Sequence, residues 1–280
     1  MCKWILPNEL YVNEDGNLVQ ILNDDDCENP RHDDDGLFSH FYTWNDYASP
    51  DTVVCYDYYG QRHEEAPTLW DIMDELVDRD EFEAYAYAKH LKNNEYAWMA
   101  DLADGYDDGC FGKVVRWLNE HGHVALPVSM VDHSGIAYRA GHPSQFVGAY
   151  PWDAGYVGLI YATEDAIKKN YMVDKVNDEL RKQVIKALEE EVAYYSAWVE
   201  GYCYGFRIYG INGDEIDSCW GFIGDDAETN GIEDYTGKLH DCSFTSVDEY
   251  VDSCEESGIT VRVVKTGRVV KTTSKQEIFV

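Results

Sequence analysis

Basic residues are scarce in this sequence. Only 22 Lys and Arg stand against 54 Asp and Glu in 280 residues, a formal charge of −32. The few bases form no cluster, so no nucleic-acid patch can be drawn, and such a field repels nucleic acid and anionic membranes while attracting basic surfaces. Long apolar runs are also missing. None approaches the ~18 residues of a membrane span, and the opening Met1-Cys2-Lys3-Trp4 has no apolar core of a signal peptide. No membrane association and no leader are therefore expected. Cysteines 2, 27, 55, 110, 203, 219, 242 and 254 are scattered, with no CxxC pair and no zinc-ligand spacing. Reduced thiols in a cytosolic setting are the natural expectation.

Several chemical signatures are lacking too. There is no phosphate loop, no dinucleotide fingerprint and no G-x-S-x-G elbow. The polar loop 23–36 carries two Asp triplets, but not the D-x-D-x-D-G-x₅-E spacing of an EF-hand. No metal and no cofactor is expected.

What is abundant is acid, and it is unevenly spread. Residues 1–110 hold 27 acids and 6 bases; residues 111–280 hold 27 and 16. The stretch from Asp24 to Asp108 contains the candidate partner-binding carboxylates: Asp24, Asp25, Asp26, Asp33, Asp34, Asp35, Asp57, Glu64, Glu65, Asp71, Asp74, Glu75, Asp78, Asp80, Glu81, Asp101, Asp104, Asp107 and Asp108. Aromatic residues such as Phe41, Tyr42, Trp44, Trp70 and Tyr85 run through it, which a disordered acidic tail would lack. With 45% apolar and 14% aromatic residues the chain can build a core. A charge that serves only solubility, or a salt-adapted surface, is the plainer explanation of the acid. The sharper one is a decoy. Duplex DNA presents one charge per roughly 1.7 Å of axis, so a protein imitating it needs dozens of carboxylates along one face.

Periodicity gives the elements. Residues 9–22 read as a hairpin across Asn13-Glu14-Asp15-Gly16, whose Asp-Gly supplies the positive φ of such turns. Residues 52–59 are β-branched and aromatic and read as a strand. After Pro67, Leu69, Ile72, Met73, Leu76 and Val77 recur at helical spacing, with Asp71, Asp74, Glu75 and Asp78 opposite. Further helices are expected over 81–91, 96–103 and 113–120, with Gly109–Gly112 breaking the pattern. Strands follow at 124–131, 136–140 and 156–161. Thr163 caps the next helix, and Val176, Leu180, Val184, Leu188, Val192 and Tyr195 stripe a long one over 174–199. Residues 202–209 and 215–222 pair as a hairpin, 224–241 reads as a polar loop, and Ser246 with Glu249 makes a capping box for a helix over 246–254. A last hairpin spans 261–271, before a basic-polar tail. The expected architecture is α+β, in two or three small mixed domains with an acidic elongated face. The expected divisions are 1–50, an N-terminal hairpin and acidic loop; 51–122, an acidic helical domain; and 123–280, an α+β domain.

Catalytic candidates are few. Asp132-His133-Ser134 suggests a triad, but neighbours on a strand point to opposite faces, so a turn is the better reading. Cys203 and Cys219 could each act as nucleophile beside a histidine, yet their spacing fits buried small side chains equally well. His121 and His123 flank Gly122 without a third metal ligand in view. A small hydrolase-like enzyme with its pocket near His133, Asp153 and Cys219 is the alternative these residues leave.

Two resemblances bear on the decoy. Val54-Cys55-Tyr56-Asp57-Tyr58-Tyr59-Gly60, Leu69-Trp70-Asp71-Ile72-Met73-Asp74-Glu75-Leu76 and Ala100-Asp101-Leu102-Ala103-Asp104-Gly105-Tyr106-Asp107-Asp108-Gly109 resemble the middle of the ArdA antirestriction proteins, over about residues 52–121. Those proteins have a strand with an Asp-Tyr element, acidic helices and a D-x-Y-x-G-like turn. Their opening strand, with its Asn-Gly turn and Trp, has no counterpart here. Residues 124–223 resemble uncharacterised proteins of phages and conjugative elements, through Leu126-Pro127-Val128, His133-Ser134-Gly135-Ile136, Pro151-Trp152-Asp153-Ala154-Gly155 and Asp217-Ser218-Cys219-Trp220-Gly221-Phe222. The resemblance implies a mobile-element protein in the cytoplasm of a bacterial host cell. ArdA proteins are acidic elongated dimers that occupy the DNA groove of type I restriction enzymes. By that likeness this chain is expected to inhibit a host DNA-binding defence enzyme, of restriction or CRISPR type, through its acidic surface. It would bind the enzyme's basic groove as a homodimer, without touching nucleic acid or membrane. An acidic binding module for another basic protein is the third expectation.

Overall fold

Strand β2, Leu18–Asn23, runs antiparallel both to β1, Leu10–Val12, and to β9, Cys203–Tyr209, with Ile21 opposite Phe206. That pairing brings strands far apart in sequence into one sheet. The computed structural model describes residues 7–32, 37–44, 49–56, 59–67, 69–76, 108–133, 135–146, 153–257, 259–264 and 268–273. Among these, helices stand beside several antiparallel sheets, an α+β fold. The chain divides into two compact units, residues 1–28 with 197–280, and residues 29–196. The divisions at 50 and 122 suggested by composition do not coincide with this one. The first unit is discontinuous in sequence because a sheet is closed by distant strands.

In that first unit the sheet order is β10-β9-β2-β1-β11, with β10 at Glu215–Ile223 and β11 at His240–Asp241. Alternation sends Tyr11, Val19, Ile21, Tyr204, Phe206 and Ile208 to one face, where Ala227, Ile232 and Leu239 cover them. The segment 224–241 is therefore more than a polar loop. It contains a helix, Ile232–Thr236, and the short β11. Val12 and Leu18 on the opposite face meet Phe244, Tyr250 and Cys254. Tyr250 and Cys254 belong to the helix Val247–Ser257, which Ser246 caps through the Glu249 amide at 3.1 Å. Glu249 reaches back to the Thr245 amide and hydroxyl, both at 2.8 Å. The hairpin turn is as expected. Gly16 takes φ 86°, and Asn13 Oδ1 accepts from the amides of Asp15 and Asn17. A two-stranded ribbon, Ile259–Val264 with Arg268–Thr273, ends the described chain.

The second unit centres on a sheet in the order β3-β8-β6-β7, with β3 at His40–Thr43, β6 at Val124–Asp132, β7 at Ile136–Ala140 and β8 at Ala154–Ala162. Both faces are covered, which is why β8 reads as a nearly continuous apolar run. On one face Leu159, Tyr161, Tyr42 and Ala125 pack against α1, Leu69–Leu76, and α2, Asp108–Glu120. On the other, Phe41 and Tyr138 meet the ring of Tyr195 at 5.4 and 5.7 Å, and the Tyr138 amide donates to Ser196 Oγ at 2.8 Å. Tyr195 and Ser196 end the buried stripe Leu180, Val184, Leu188 and Val192 of the helix Asp178–Val199. That helix starts at Asp178 rather than 174 because Asn177 Oδ1 accepts from the Leu180 amide. Helix α3, Glu164–Tyr171, is capped by Thr163 as expected. Helix α2 begins at Asp108, so Gly109 and Gly112 lie inside it. Burial of Val114, Trp117 and Leu118 outweighs the cost of about 1 kcal/mol per glycine. The helices expected over 81–91 and 96–103 lie outside the described residues.

Candidate functional site

Among the described residues, the candidate partner-binding carboxylates with placed side chains fall into three groups. Asp24, Asp25 and Asp26 follow β2 in the discontinuous unit. Asp25 and Asp26 are exposed, but Asp24 serves the fold: Oδ1 accepts from the Asp26 amide at 3.2 Å and Oδ2 from the Gly221 amide at 2.9 Å. Glu64 and Glu65 sit on β5, Arg62–Glu65, which pairs with β4, Val53–Tyr56. Of the strand expected over 52–59 the structure shows Val53–Tyr56, and its partner has no sequence signal because Arg62-His63-Glu64-Glu65 lacks apolar alternation. Every residue of β5 is exposed, and Glu64 is paired with Arg62. Asp71 and Glu75 form the third group, exposed on α1 opposite Leu69, Ile72 and Met73, each at most 2% exposed. The expected segregation of acid from core holds for these two. Asp74 and Asp108 lie in helices, but their side chains are outside the described part. Asp33, Asp34, Asp35, Asp57, Asp78, Asp80, Glu81, Asp101, Asp104 and Asp107 also lie outside the described residues.

Beside the ribbon lies a constellation that sequence reasoning missed. Arg31, its side chain 3% exposed, grips Asp51 with two hydrogen bonds, Nε to Oδ1 at 2.6 Å and Nη2 to Oδ2 at 2.8 Å. Its Nη1 donates to Glu191 Oε2 at 2.8 Å, and Nη2 reaches the Ser39 carbonyl at 3.2 Å. The Ser39 hydroxyl closes the ring onto Glu191, and Asp51 Oδ2 also accepts from the Phe41 amide at 2.6 Å. Burial alone lowers the Arg31 pKa, but its bonds and charge pairing with Asp51 and Glu191 reverse the sign and raise it. A polar cleft of about 440 Å³ opens here, lined by Arg31, His32, Pro50, Asp51, Thr52, Val54 and Glu64. The guanidinium is committed to its own carboxylates, so the network pins the second unit together. The one sequence signal was that Arg31 is a rare base in an acidic stretch. Nearby, burial first, then the charges of Asp51 and Glu75, push the Tyr42 phenol up to about 12, so it remains a neutral donor.

Of the catalytic candidates, His133 and Asp153 meet, Nδ1 to Oδ2 at 3.2 Å, with the His133 side chain 65% exposed. The Asp132 amide donates to the Asp153 carbonyl and the His133 amide to that of Gly135, which makes this a turn. Cys219 is half-buried on β10, in the other unit, its thiol 3.8 Å from the Trp220 carbonyl oxygen. His121 and His123 both stack on Trp117, at 4.1 and 6.1 Å. His123 Nδ1 accepts from the Glu164 amide at 3.1 Å, so the ring helps cap α3. Burial foremost lowers its pKa, against the opposing pull of Glu164.

No family model matches this chain, and the searches of curated proteins and of solved structures likewise returned no match.

Proposed function

We propose that this chain is a phage or mobile-element inhibitor that occupies the DNA-binding groove of a host defence enzyme, its carboxylates standing where phosphates would lie. The observation that carries the reading is the direction of the charge. In a chain of net charge −32, Asp71 and Glu75 on α1 and the carboxylates of the β4–β5 ribbon face solvent while the apolar residues of α1 are buried. Arg and Lys that grip phosphates make comparable charge-assisted bonds to carboxylates. No single residue is catalytic in this mechanism, and the likeness to ArdA proteins makes a type I restriction enzyme the first target to test. The expected place of action is the bacterial cytoplasm, with the protein working as a homodimer; among the described residues no helix is long and apolar enough to cross a membrane.

The deciding experiment is competition on purified type I restriction enzyme, followed by the anisotropy of a labelled duplex. Displacement of the duplex by this protein, and recovery when DNA is added in excess, is the expected result. A ternary complex with both affinities undiminished sinks groove mimicry. It would leave an acidic binding module for another surface, or an enzyme using His133 and Asp153. Replacing His133 by Ala separates the last of these, since inhibition by mimicry should be nearly unaffected.

A further inference from the structure

We propose that Cys27 and Cys203 form a reversible disulfide when the protein meets a neutral peroxide. Both belong to the unit of residues 1–28 and 197–280, and both are free thiols. Cys203 opens β9, and β2 pairs with β9 up to Asn23 opposite Tyr204. The next residue, Asp24, donates its amide to the Cys203 carbonyl at 2.8 Å. Asp24 Oδ1 then turns the chain through the Asp26 amide, which brings Cys27 back over the start of β9. Trp198 fixes the backbone there, its indole Nε1 donating to the Cys27 carbonyl at 3.0 Å. The Cys27 thiol donates to the Glu28 carbonyl oxygen and the Cys203 thiol to that of Trp198, each at 3.9 Å, and both thiols line one cleft. The thiols share their cleft with Asp24 and Asp25 of the candidate acidic surface, but the oxidation needs no partner and is read separately from inhibition.

Access and charge select the oxidant. A cleft of about 320 Å³ is lined by both thiols together with Asp24, Asp25, Trp198 and Gly201. Cys27 is half-buried and Cys203 is 5% exposed, so the first attack falls to Cys27. Burial raises the pKa of Cys27 and pushes Cys203 up to about 12, with the charge of Asp24 adding to both. Few thiolates are therefore present near neutrality, and an anionic disulfide such as oxidised glutathione is repelled by Asp24, Asp25 and the net charge. Hydrogen peroxide is small and neutral. The Cys27 thiolate attacks one peroxide oxygen; the O–O bond breaks, hydroxide leaves, and a sulfenic acid forms. The Cys203 sulfur then attacks the sulfenic sulfur, forming the S–S bond, breaking S–O and releasing water. In sum two thiols give up two electrons and two protons, and one peroxide becomes two waters. An external dithiol reverses the change. The chain passes between its two units at 28/29 and at 196/197, so the bridge ties together the segments next to both passages.

The test is peptide mapping of the full chain. Reduced protein is exposed to hydrogen peroxide or to oxidised glutathione, blocked with iodoacetamide and digested without reductant. The expected product of the peroxide arm is a Cys27–Cys203 linked peptide, about 2 Da lighter than its two reduced parts and lost on treatment with dithiothreitol. Its rate should rise about tenfold from pH 7 to pH 8, as the thiolate fraction does, and should be several-fold slower with glutathione. Cys27→Ser should remove the link and leave Cys203 open to alkylation after denaturation. In Cys203→Ser, Cys27 should stop at a sulfenic acid that dimedone traps. If that variant does not fold, the wild-type map and Cys27→Ser still decide. Alkyl label on both cysteines after peroxide has oxidised other thiols, or links from either one to a different cysteine, overturns the proposal. Equal rates with the two oxidants overturn the assignment of a neutral one.

Discussion

Arg31 is held by groups 20 and 160 residues away in sequence, Asp51 and Glu191, and almost no water reaches its side chain. Removing it strands two carboxylates that are each only 17% exposed. Arg31→Met should cost about 3 kcal/mol, since breaking a buried pair leaves uncompensated charge, and urea denaturation would show it as a lower midpoint at unchanged slope. Arg31→Lys keeps a charge but loses the two-pronged grip on Asp51, so a smaller loss is expected. His123 gives a pH test. Its folded pKa lies below the ordinary 6.5, burial being the first cause. Above 6.5 neither state binds the proton, and the stabilisation is complete. As the pH falls below 6.5 the unfolded chain protonates first, so stability is lost until the folded value is passed. Thermal melts between pH 7.5 and 5 should show this loss, and His123→Asn should reduce it, leaving the share of His40, whose pKa burial also lowers. A melt midpoint as pH-sensitive in the variant as in the parent would remove the assignment to His123. The network around Arg31 was hidden from sequence reading because three-dimensional pairing over such separations leaves no local pattern. His121 and His123 stood without a third metal ligand in the sequence, and the structure stacks both on Trp117 instead.

At the scale of elements, β8 offers a paired comparison. A Cβ on Gly158 would lie 2.1 Å from the Tyr42 carbonyl oxygen and 3.0 Å from the Thr43 Cα, both backbone atoms of β3. Gly158→Ala should therefore cost about 1–3 kcal/mol by forcing the strands apart. A Cβ on Gly155 of the same strand meets nothing within 4 Å, so Gly155→Ala should stay within about 0.5 kcal/mol. Differential scanning fluorimetry of the two variants distinguishes a real close approach from a general dislike of side chains in β8. Elements with a strong period were readable from sequence: α1 from Leu69, Ile72 and Met73, the long helix from Leu180 to Tyr195, and both hairpins around Gly16 and Gly213. The helix at Ile232–Thr236 was not. Its five residues carry no period, and it is held by the Ile232 amide donating to Asn230 Oδ1 at 3.0 Å and by burial of Ile232 itself. The acids of the candidate surface were legible as residue types. Their exposure was legible only on α1, where helical spacing separates them from the core.

For the whole molecule, salt should act in opposite directions on two measurements. Screening relieves the self-repulsion of a −32 chain, so its melting temperature should rise as NaCl is increased to about 0.5 M. Binding to a basic groove should weaken over the same range. Reversal of any one exposed acid, such as Asp71 or Glu75, should cost binding about 1 kcal/mol or less. Reversal of Asp71, Asp74, Glu75 and Asp78 together should abolish competition with DNA in the anisotropy assay. If the single reversals proved as damaging as the set, a specific pocket rather than a distributed surface would be at work. The pairing of β2 with β9 has one more consequence, in time rather than space. A ribosome adds about 5–20 residues per second, so on the order of 10–40 s separate the emergence of these two strands. Throughout that interval the first hairpin is in the cell with Val19 and Ile21 uncovered, while residues 29–196 can already close their own core. Substitutions that help the β1–β2 hairpin stay soluble until β9 emerges should therefore raise yield without changing the finished protein's stability.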